Sequence, residues 1–347
     1  MEGSNPNVLN LDILTKQSVI TVVMAVYNAE QYIHRSIQSV QAQTYKDWKM
    51  ICVNDGSTDN TLDILCEYAL RDTRISYITK ENGGPASARA VAYEKLTTPY
   101  AIMLDADDIY TEDLLENLVK IAQEKRPDCI APNLLIEQSD GSYMDWNTCY
   151  HWREGDVISG KEAFSKCFVG ASLHGVNLWN SDLLKKYATG DNANYNQFNE
   201  DEYIQRLLFI NSKEVFFSNG SYIYTRNNKS ITKGLPLKHL GYLSTCRKYI
   251  ELIDKYHIGM EIANSIKEYY LRHIIALQIR LYKNMKGMSR EHYHIMLSEL
   301  KKAYSDAIRY RDCCSFKDKR IPWIYKYAAT SNYRLFCFTT WIFSFCK

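Results

Sequence analysis

Unbroken apolar runs and helix-spaced apolar stripes alternate along residues 18–140. Residues 19–26 are almost continuously apolar, the pattern of a strand covered on both faces. Residues 29–43 then place Ile33, Ile37 and Val40 at helical spacing. Residues 48–53 predict a second strand. Thr58 or Asp59 suits the N-cap of a helix whose buried stripe is Leu62, Leu65, Cys66 and Ala69. Residues 75–79 predict a third strand. Gly83-Gly84-Pro85 turns into a helix through Ala88, Val91 and Ala92, with proline tolerated in its first turn. Residues 100–104 form a strand that ends on an acidic run. Thr111 is placed to cap a helix burying Leu114, Leu115, Leu118 and Val119, and residues 129–136 read as another strand. This alternation predicts an α/β fold, a mainly parallel sheet with helices on its faces.

The pattern loosens over residues 141–200, where Trp146, Tyr150, His151, Trp152, His174 and Trp179 stand among polar residues. Residues 202–210 are helical, with Ile204, Leu207 and Leu208 on one face. Residues 215–217 and 222–224 flank Ser218-Asn219-Gly220 and predict a hairpin. Beyond about residue 236 the chain is helical and rich in basic residues. This divides it into a lead (1–17), a catalytic unit (18–235, with halves 18–140 and 141–235) and a helical C-terminal region (236–347).

Composition narrows the class. A length of 347 residues suits one large domain with an extension. A formal net charge of +2 gives no field that would draw the chain to nucleic acid. The ten cysteines show no C-x-x-C spacing, which argues against a disulfide framework and a zinc cage. Residues 1–17 lack a basic segment followed by an apolar core, so no signal peptide is read. No apolar run reaches the ~18 residues of a membrane-spanning helix, and the expected compartment is the cytoplasm. Residues 335–346 carry no charge and include Phe336, Phe338, Trp341, Ile342, Phe343 and Phe345. Lys317, Lys319, Arg320, Lys326 and Arg334 precede them. Two placements stay open for this end: in the interface of an anionic membrane, or packed back on the catalytic unit.

Three acidic clusters carry the chemistry. Asp55 lies in Asn54-Asp55-Gly56-Ser57-Thr58-Asp59, Asp105 and Asp107 in Asp105-Ala106-Asp107-Asp108, and Glu200-Asp201 opens the later helix. The first two follow predicted strands, and carboxylates at the carboxyl ends of parallel strands face the crevice where such sheets bind ligands. A D-x-D pair there suits a hard divalent cation, which in turn suits a diphosphate. The third cluster can supply a base. Each cluster also has a plainer reading as a turn or a helix cap. Residues 155–161 nearly spell a phosphate-binding loop, but Glu162 replaces the required Ser/Thr and no clear parallel strand leads in. His151 and His174 are weaker candidates for acceptor or metal contact.

In order, Val22-Val23-Met24-Ala25-Val26-Tyr27-Asn28, Asn54 to Asp59, Asn82-Gly83-Gly84 with Ala88-Arg89, and Asp105 to Asp108 resemble glycosyltransferase family 2. The likeness continues more weakly through Leu178-Trp179-Asn180, Glu200-Asp201 and Ser230-Ile231-Thr232, and covers roughly residues 18–235. It implies the GT-A fold, a Rossmann-like mixed sheet flanked by helices, and an inverting transfer from a nucleotide-sugar, UDP being preferred. Residue by residue, it implies that Ala25, Tyr27, Glu30 and Ala106 lie beside the nucleotide and that Asp55 accepts the uracil imide N–H. Gly84 would permit close backbone approach, and Arg89 would sit near base or phosphate. Asp105 would meet ribose or metal, Asp107 would ligate Mn²⁺ or Mg²⁺, and Asp201 would be the base, with Glu200 as fallback. The acceptor, a glycan or lipid-linked glycan of surface or capsular polysaccharide synthesis, is expected to meet residues around 141–200. The sequence departs from the family pattern at Asn54, Ala90 and Thr225-Arg226-Asn227. Two other classes stay open: a nucleotidyltransferase, and a degenerate GT-A domain serving as an assembly partner.

Overall fold

The computed structural model describes residues 18–169, 172–193, 199–226, 237–314 and 332–344. Its first half is the predicted alternation. Strand β1 (Ile20–Val26) leads to α1 (Ile33–Gln41), β2 (Trp48–Asn54), α2 (Thr61–Arg71), β3 (Ile75–Thr79), α3 (Pro85–Glu94) and β4 (Tyr100–Met103). All but one residue of β1 are buried, which is why its sequence is an unbroken apolar run. The four strands pair in parallel in the order β3-β2-β1-β4, with Val26 opposite Asn54 and Val23 opposite Met103. Their carboxyl ends therefore form one edge, and the loops carrying Tyr27, Asp55 and Asp105 meet there.

The second half turns the sheet mixed. After β5 (Ile109–Tyr110) and α4 (Leu114–Lys125) come β6 (Cys129–Glu137), β7 (Tyr143–Asp145), α5 (Trp146–Tyr150), β8 (Val157–Ser159) and α6 (Gly160–Phe168). Then follow β9 (Leu178–Asn180), α7 (Ser181–Tyr187), α8 (Glu200–Ile210) and β10 (Glu214–Tyr224). Short β9 inserts antiparallel between β4 and β6, and the order continues β6-β10-β5. The run at 155–161 is no phosphate loop: β8 lies antiparallel on β10, and Ser159 Oγ accepts the Glu162 N–H at 3.2 Å to cap α6.

Three local expectations are corrected. The 214–224 segment is one bulged strand, not a hairpin. It pairs in parallel with β6 on both sides of the bulge, Phe217 opposite Ala131 and Ser221 opposite Asn133. The glycine that signals a turn is needed for close approach, since a Cβ on Gly220 would stand 2.8 Å from Leu114 Cα. Thr111 does not cap α4, whose N-cap is Asp113; its hydroxyl accepts the Ser221 N–H at 3.0 Å and joins α4 to β10. Neither Thr58 nor Asp59 is the cap residue of α2, which starts after Asn60. Asp59 still serves the helix start, its carboxylate accepting the N–H of Thr61, the first residue of α2, at 3.0 Å, and that of Glu30 in the loop after β1 at 3.2 Å.

The C-terminal region is helical: α9 (Gly241–Lys255), α10 (Met260–Asn284), α11 (Arg290–Ala307) and α12 (Tyr333–Ser344). One core beneath the sheet runs from Val23 and Trp179 through Phe209 to Tyr249, Leu252 and Ile266, so α9 and the first turns of α10 share it. A separate core joins the rest of α10 to α11 and α12 around Leu281, Leu300 and Phe336. No helix among the described residues is long and apolar enough to cross a membrane.

Candidate active site

The loops after β1 and β2 are sewn together before any ligand is considered. Asn28, at a positive φ of 48°, donates its N–H to Ser57 Oγ, and its amide oxygen accepts the Thr58 N–H at 2.8 Å. Glu30 Oε2 accepts the N–H and side-chain amide of Asn60, so this carboxylate helps hold the loop. Tyr27 projects from the same loop and is 53% exposed, a free aromatic face at the sheet edge. Ala25 is half-buried on β1 behind it.

Asp55 is buried and organises the neighbouring loop. Its Oδ1 accepts from Lys80 Nζ at 2.8 Å and from the Gly83 N–H at 3.0 Å; Oδ2 accepts the Gly84 N–H at 2.8 Å. An ionised carboxylate has about four acceptor positions, so one is left for a ligand N–H. Gly84, at φ 89°, sits before α3 with nothing within 4 Å of where its Cβ would be. The backbone conformation and the open space both fit close passage of a ligand.

The acidic loop after β4 is held from three sides. Asp108 is 1% exposed; its carboxylate accepts from Tyr222 OH at 2.7 Å and from the Thr225 N–H at 2.8 Å, tying the loop to β10. Burial first, and then the charge of Asp105, push the Asp108 carboxyl up to about 7. Arg35 donates to the Asp107 carbonyl at 3.0 Å, Ser36 Oγ donates to the Ala106 carbonyl at 2.8 Å, and the Thr225 hydroxyl also donates to the Asp107 carbonyl. With the backbone so fixed, Asp105, Ala106 and Asp107 stay partly accessible along the edge. Asp105 and Asp107, two positions apart after a strand end, offer carboxylate oxygens of the hard kind that suits Mg²⁺ or Mn²⁺, with diphosphate oxygens and water able to fill the remaining positions.

Arg89 connects this loop to the third cluster. Arg89 is 8% exposed, and its guanidinium pairs with Asp105 Oδ1 at 3.0 Å. Burial opposes its charge, but Asp105 and Asp201 outweigh burial and keep it protonated. Asp201 is accessible, whereas Glu200 is 2% exposed. Asp201 Oδ1 accepts the Glu202 N–H at 2.8 Å. Although the residue keeps an exposed side, the protein packed around its carboxyl raises the Asp201 pKa from its ordinary value by desolvation, with Arg89 opposing the rise. A cavity of about 30 Å³ is lined by Arg89, Met103, Asn177, Trp179, Asp201 and Gln205, among others. It has room for about a water molecule, not a sugar.

The structure thus brings Tyr27, Asp55, Gly84, Arg89, Asp105, Ala106, Asp107 and Asp201 to one edge. Lys80, Arg35 and Asp108 support them, roles not assigned from sequence. Most of the aromatic cluster at 146–179 is structural. Trp146 and Trp152 both donate their indole N–H to the Ser172 carbonyl at 3.0 Å, and Trp179 packs 5.0 Å from Phe209. His174 is buried, bonded through Nε2 to the Pro132 carbonyl at 2.8 Å, and burial lowers its pKa to about 4. It is a neutral core residue, leaving exposed His151 on that surface. Ser230-Ile231-Thr232 lies outside the described residues.

Comparison with known proteins finds a family model that matches the first part of this edge. Residues 21–179 match the model of glycosyl transferase family 2. Glycosyltransferase GlyG of Streptococcus pneumoniae serotype 4 is 28% identical over 223 residues, covering 62% of this chain and 73% of GlyG. GlyA of the same strain is also 28% identical, over 62% of this chain, but the chain spans only 31% of GlyA. Among solved structures, Staphylococcus aureus TarS 1–349 in complex with UDP-GlcNAc superposes with a TM-score of 0.65 at 16% identity, covering 93% of this chain and 89% of that one. The mannosyltransferase PcManGT of Pyrobaculum calidifontis, in complex with GDP-Man and Mn²⁺, gives 0.52 at 15% identity, covering 96% and 88%. Residues 21–179 therefore match glycosyl transferase family 2, and the chain shares the mixed α/β fold, a sheet flanked by helices, of these GT-A glycosyltransferases.

Proposed function

We propose that this chain moves a sugar from a nucleotide-sugar, UDP-linked by preference, to an acceptor hydroxyl with inversion at the anomeric carbon. The reading rests on Arg89, which pairs with Asp105 of the acidic loop after β4 and lines one cavity with Asp201 at the head of α8. Tyr27 offers a stacking face for the base, the remaining acceptor position of Asp55 suits an imide N–H, and Ala25, Gly84 and Ala106 leave room for the nucleotide. Asp107, with Asp105, would hold Mn²⁺ or Mg²⁺; that cation, when bound, neutralises the diphosphate leaving group. Asp201 removes the proton of the attacking hydroxyl. Its raised pKa makes it a stronger base than an ordinary carboxylate. Attack from the face opposite the leaving group inverts the centre and needs no enzyme nucleophile. The acceptor is a glycan or lipid-linked glycan of surface polysaccharide synthesis, met on the cytoplasmic side, with the C-terminal helix touching the membrane surface.

The test is a melting-temperature screen with UDP-, GDP- and dTDP-sugars, with and without Mn²⁺, run alongside transfer assays. One nucleotide class should raise the melting temperature by roughly 3–8 °C, and only with metal. Asp201→Asn should keep that rise and lose about 10²–10⁴ in turnover. A folded sample that none of these donors stabilises would overturn the reading in favour of a scaffold role.

A further inference from the structure

The C-terminal helices reach the catalytic helix at its first turn. Asn199 occupies the N-cap position of helix α8, yet its side chain caps no helical N–H. Instead the buried hydroxyl of Thr245, on α9, donates to Asn199 Oδ1 at 2.8 Å. A local cap has been exchanged for a tertiary bond, so the start of α8 depends on α9.

A second contact grips the other side of Asp201. Glu202 Oε1 accepts from the hydroxyl of Tyr269, on α10, at 2.5 Å, and from Tyr249, on α9, at 3.4 Å. It also pairs with Arg206 at 2.9 Å, one turn along α8. Arg206 is held in turn, its guanidinium 5.3 Å from the rings of both Phe168 and Tyr249. Burial would push the Glu202 carboxyl up, but Arg206 and the Tyr269 hydroxyl outweigh it and keep Glu202 ionised. The same residue offers its backbone N–H to Asp201 Oδ1. An unbroken chain of bonds thus runs from the Tyr269 hydroxyl through Glu202 to the carboxylate of Asp201.

We propose that α9 and α10 orient Asp201, with Tyr269 as the positioning residue acting through Glu202 and Thr245 as a second anchor acting through Asn199. The inference deepens the reading of Asp201 as base and rests on it. It gives the C-terminal region a part in the reaction without any contact with substrate. A base displaced by a fraction of an ångström loses rate while the nucleotide pocket, built on β1, β2 and β4, is unchanged.

Tyr269→Phe tests this in the full chain, because it removes only the hydroxyl and keeps the ring packed 4.2 Å from His273. Turnover is read as nucleoside diphosphate release with Mn²⁺ from whichever of the UDP-, GDP- and dTDP-sugars stabilises the protein. The expected result is a fall in kcat of about tenfold, with donor KM within about twofold and full donor-binding stoichiometry. A merely structural loss would instead lower the stoichiometry. Glu202→Gln, which keeps an acceptor for Tyr269, should retain more kcat than Glu202→Ala. If Tyr269→Phe folds poorly, Thr245→Val is read in the same way from the opposite anchor. Unchanged kcat in the folded variants, while Asp201→Asn abolishes transfer, would overturn the positioning role and leave the base reading standing. Near-normal turnover in Asp201→Asn would overturn the base reading, and this proposal with it.

Discussion

Arg89 settles a conflict among acids that would otherwise repel one another. Buried beside Asp105 and close to Asp201, it counters the rise that desolvation imposes on Asp201. The sign of the pH dependence follows. In the proposed function Asp201 is the base and acts only when deprotonated, and its pKa lies above the ordinary carboxylate value of about 4. Turnover should therefore climb with pH through a limb above pH ~4 and be lost below it. Arg89→Ala removes the opposing cation and should move that limb to higher pH. Initial rates across pH at saturating donor check this; an unmoved limb would mean that another group titrates. Asp55, Asp107 and Asp201 were legible in the sequence because each belongs to a short motif at a strand or helix end. Their supports were not. Lys80 meets Asp55 across 25 positions, Arg35 meets the Asp107 carbonyl across 72, and Asp108 meets Thr225 across 117. Nothing local marks such pairs.

Elements were readable where burial imposes one period. Strand β1 and helices α1 and α4 announce themselves because a strand covered on both faces needs continuous apolar side chains, and a covered helix needs a stripe. Strand β10 misled because Ser218-Asn219-Gly220 has turn chemistry, whereas the pressure on Gly220 comes from Leu114, more than a hundred residues away. Three-residue β9 is too short to show a period at all. Helix α12 bears on both placements left open for the C-terminal end. Phe336 is fully buried against α10 and α11, while Leu335 is 46% and Phe338 55% exposed. Lys317, Lys319, Arg320 and Lys326 lie outside the described residues. Twelve residues of helix span about 18 Å, too short for a bilayer core of about 30 Å but long enough to lie along its surface. Leu335→Glu with Phe338→Glu should abolish co-sedimentation with phosphatidylglycerol vesicles and leave the melting temperature unchanged, because Phe336 keeps its packing. A wild-type chain that stays in the supernatant would refute the membrane contact.

At the scale of the whole molecule, the boundary drawn near residue 235 separates two patterns of sequence but not two cores. Tyr249, Leu252 and Ile266 complete the core that also holds Trp179, Phe164 and Phe209. Four residues beyond Ile266, Tyr270 and Leu271 enter the second core with Leu300 and Phe336. Helix α10, 25 residues long, is thus a rigid member of both. Melting either core exposes apolar side chains of a helix the other needs, so neither can unfold without cost to its neighbour. Calorimetry should therefore show one cooperative transition for the full chain, with calorimetric and van't Hoff enthalpies in agreement. A donor that binds only at the sheet edge should shift that whole transition. Two resolved transitions, with the donor moving only one, would mean that the helices form an independent unit. The bonds from Thr245 and Tyr269 to the head of α8 would then be too weak a link to orient a base.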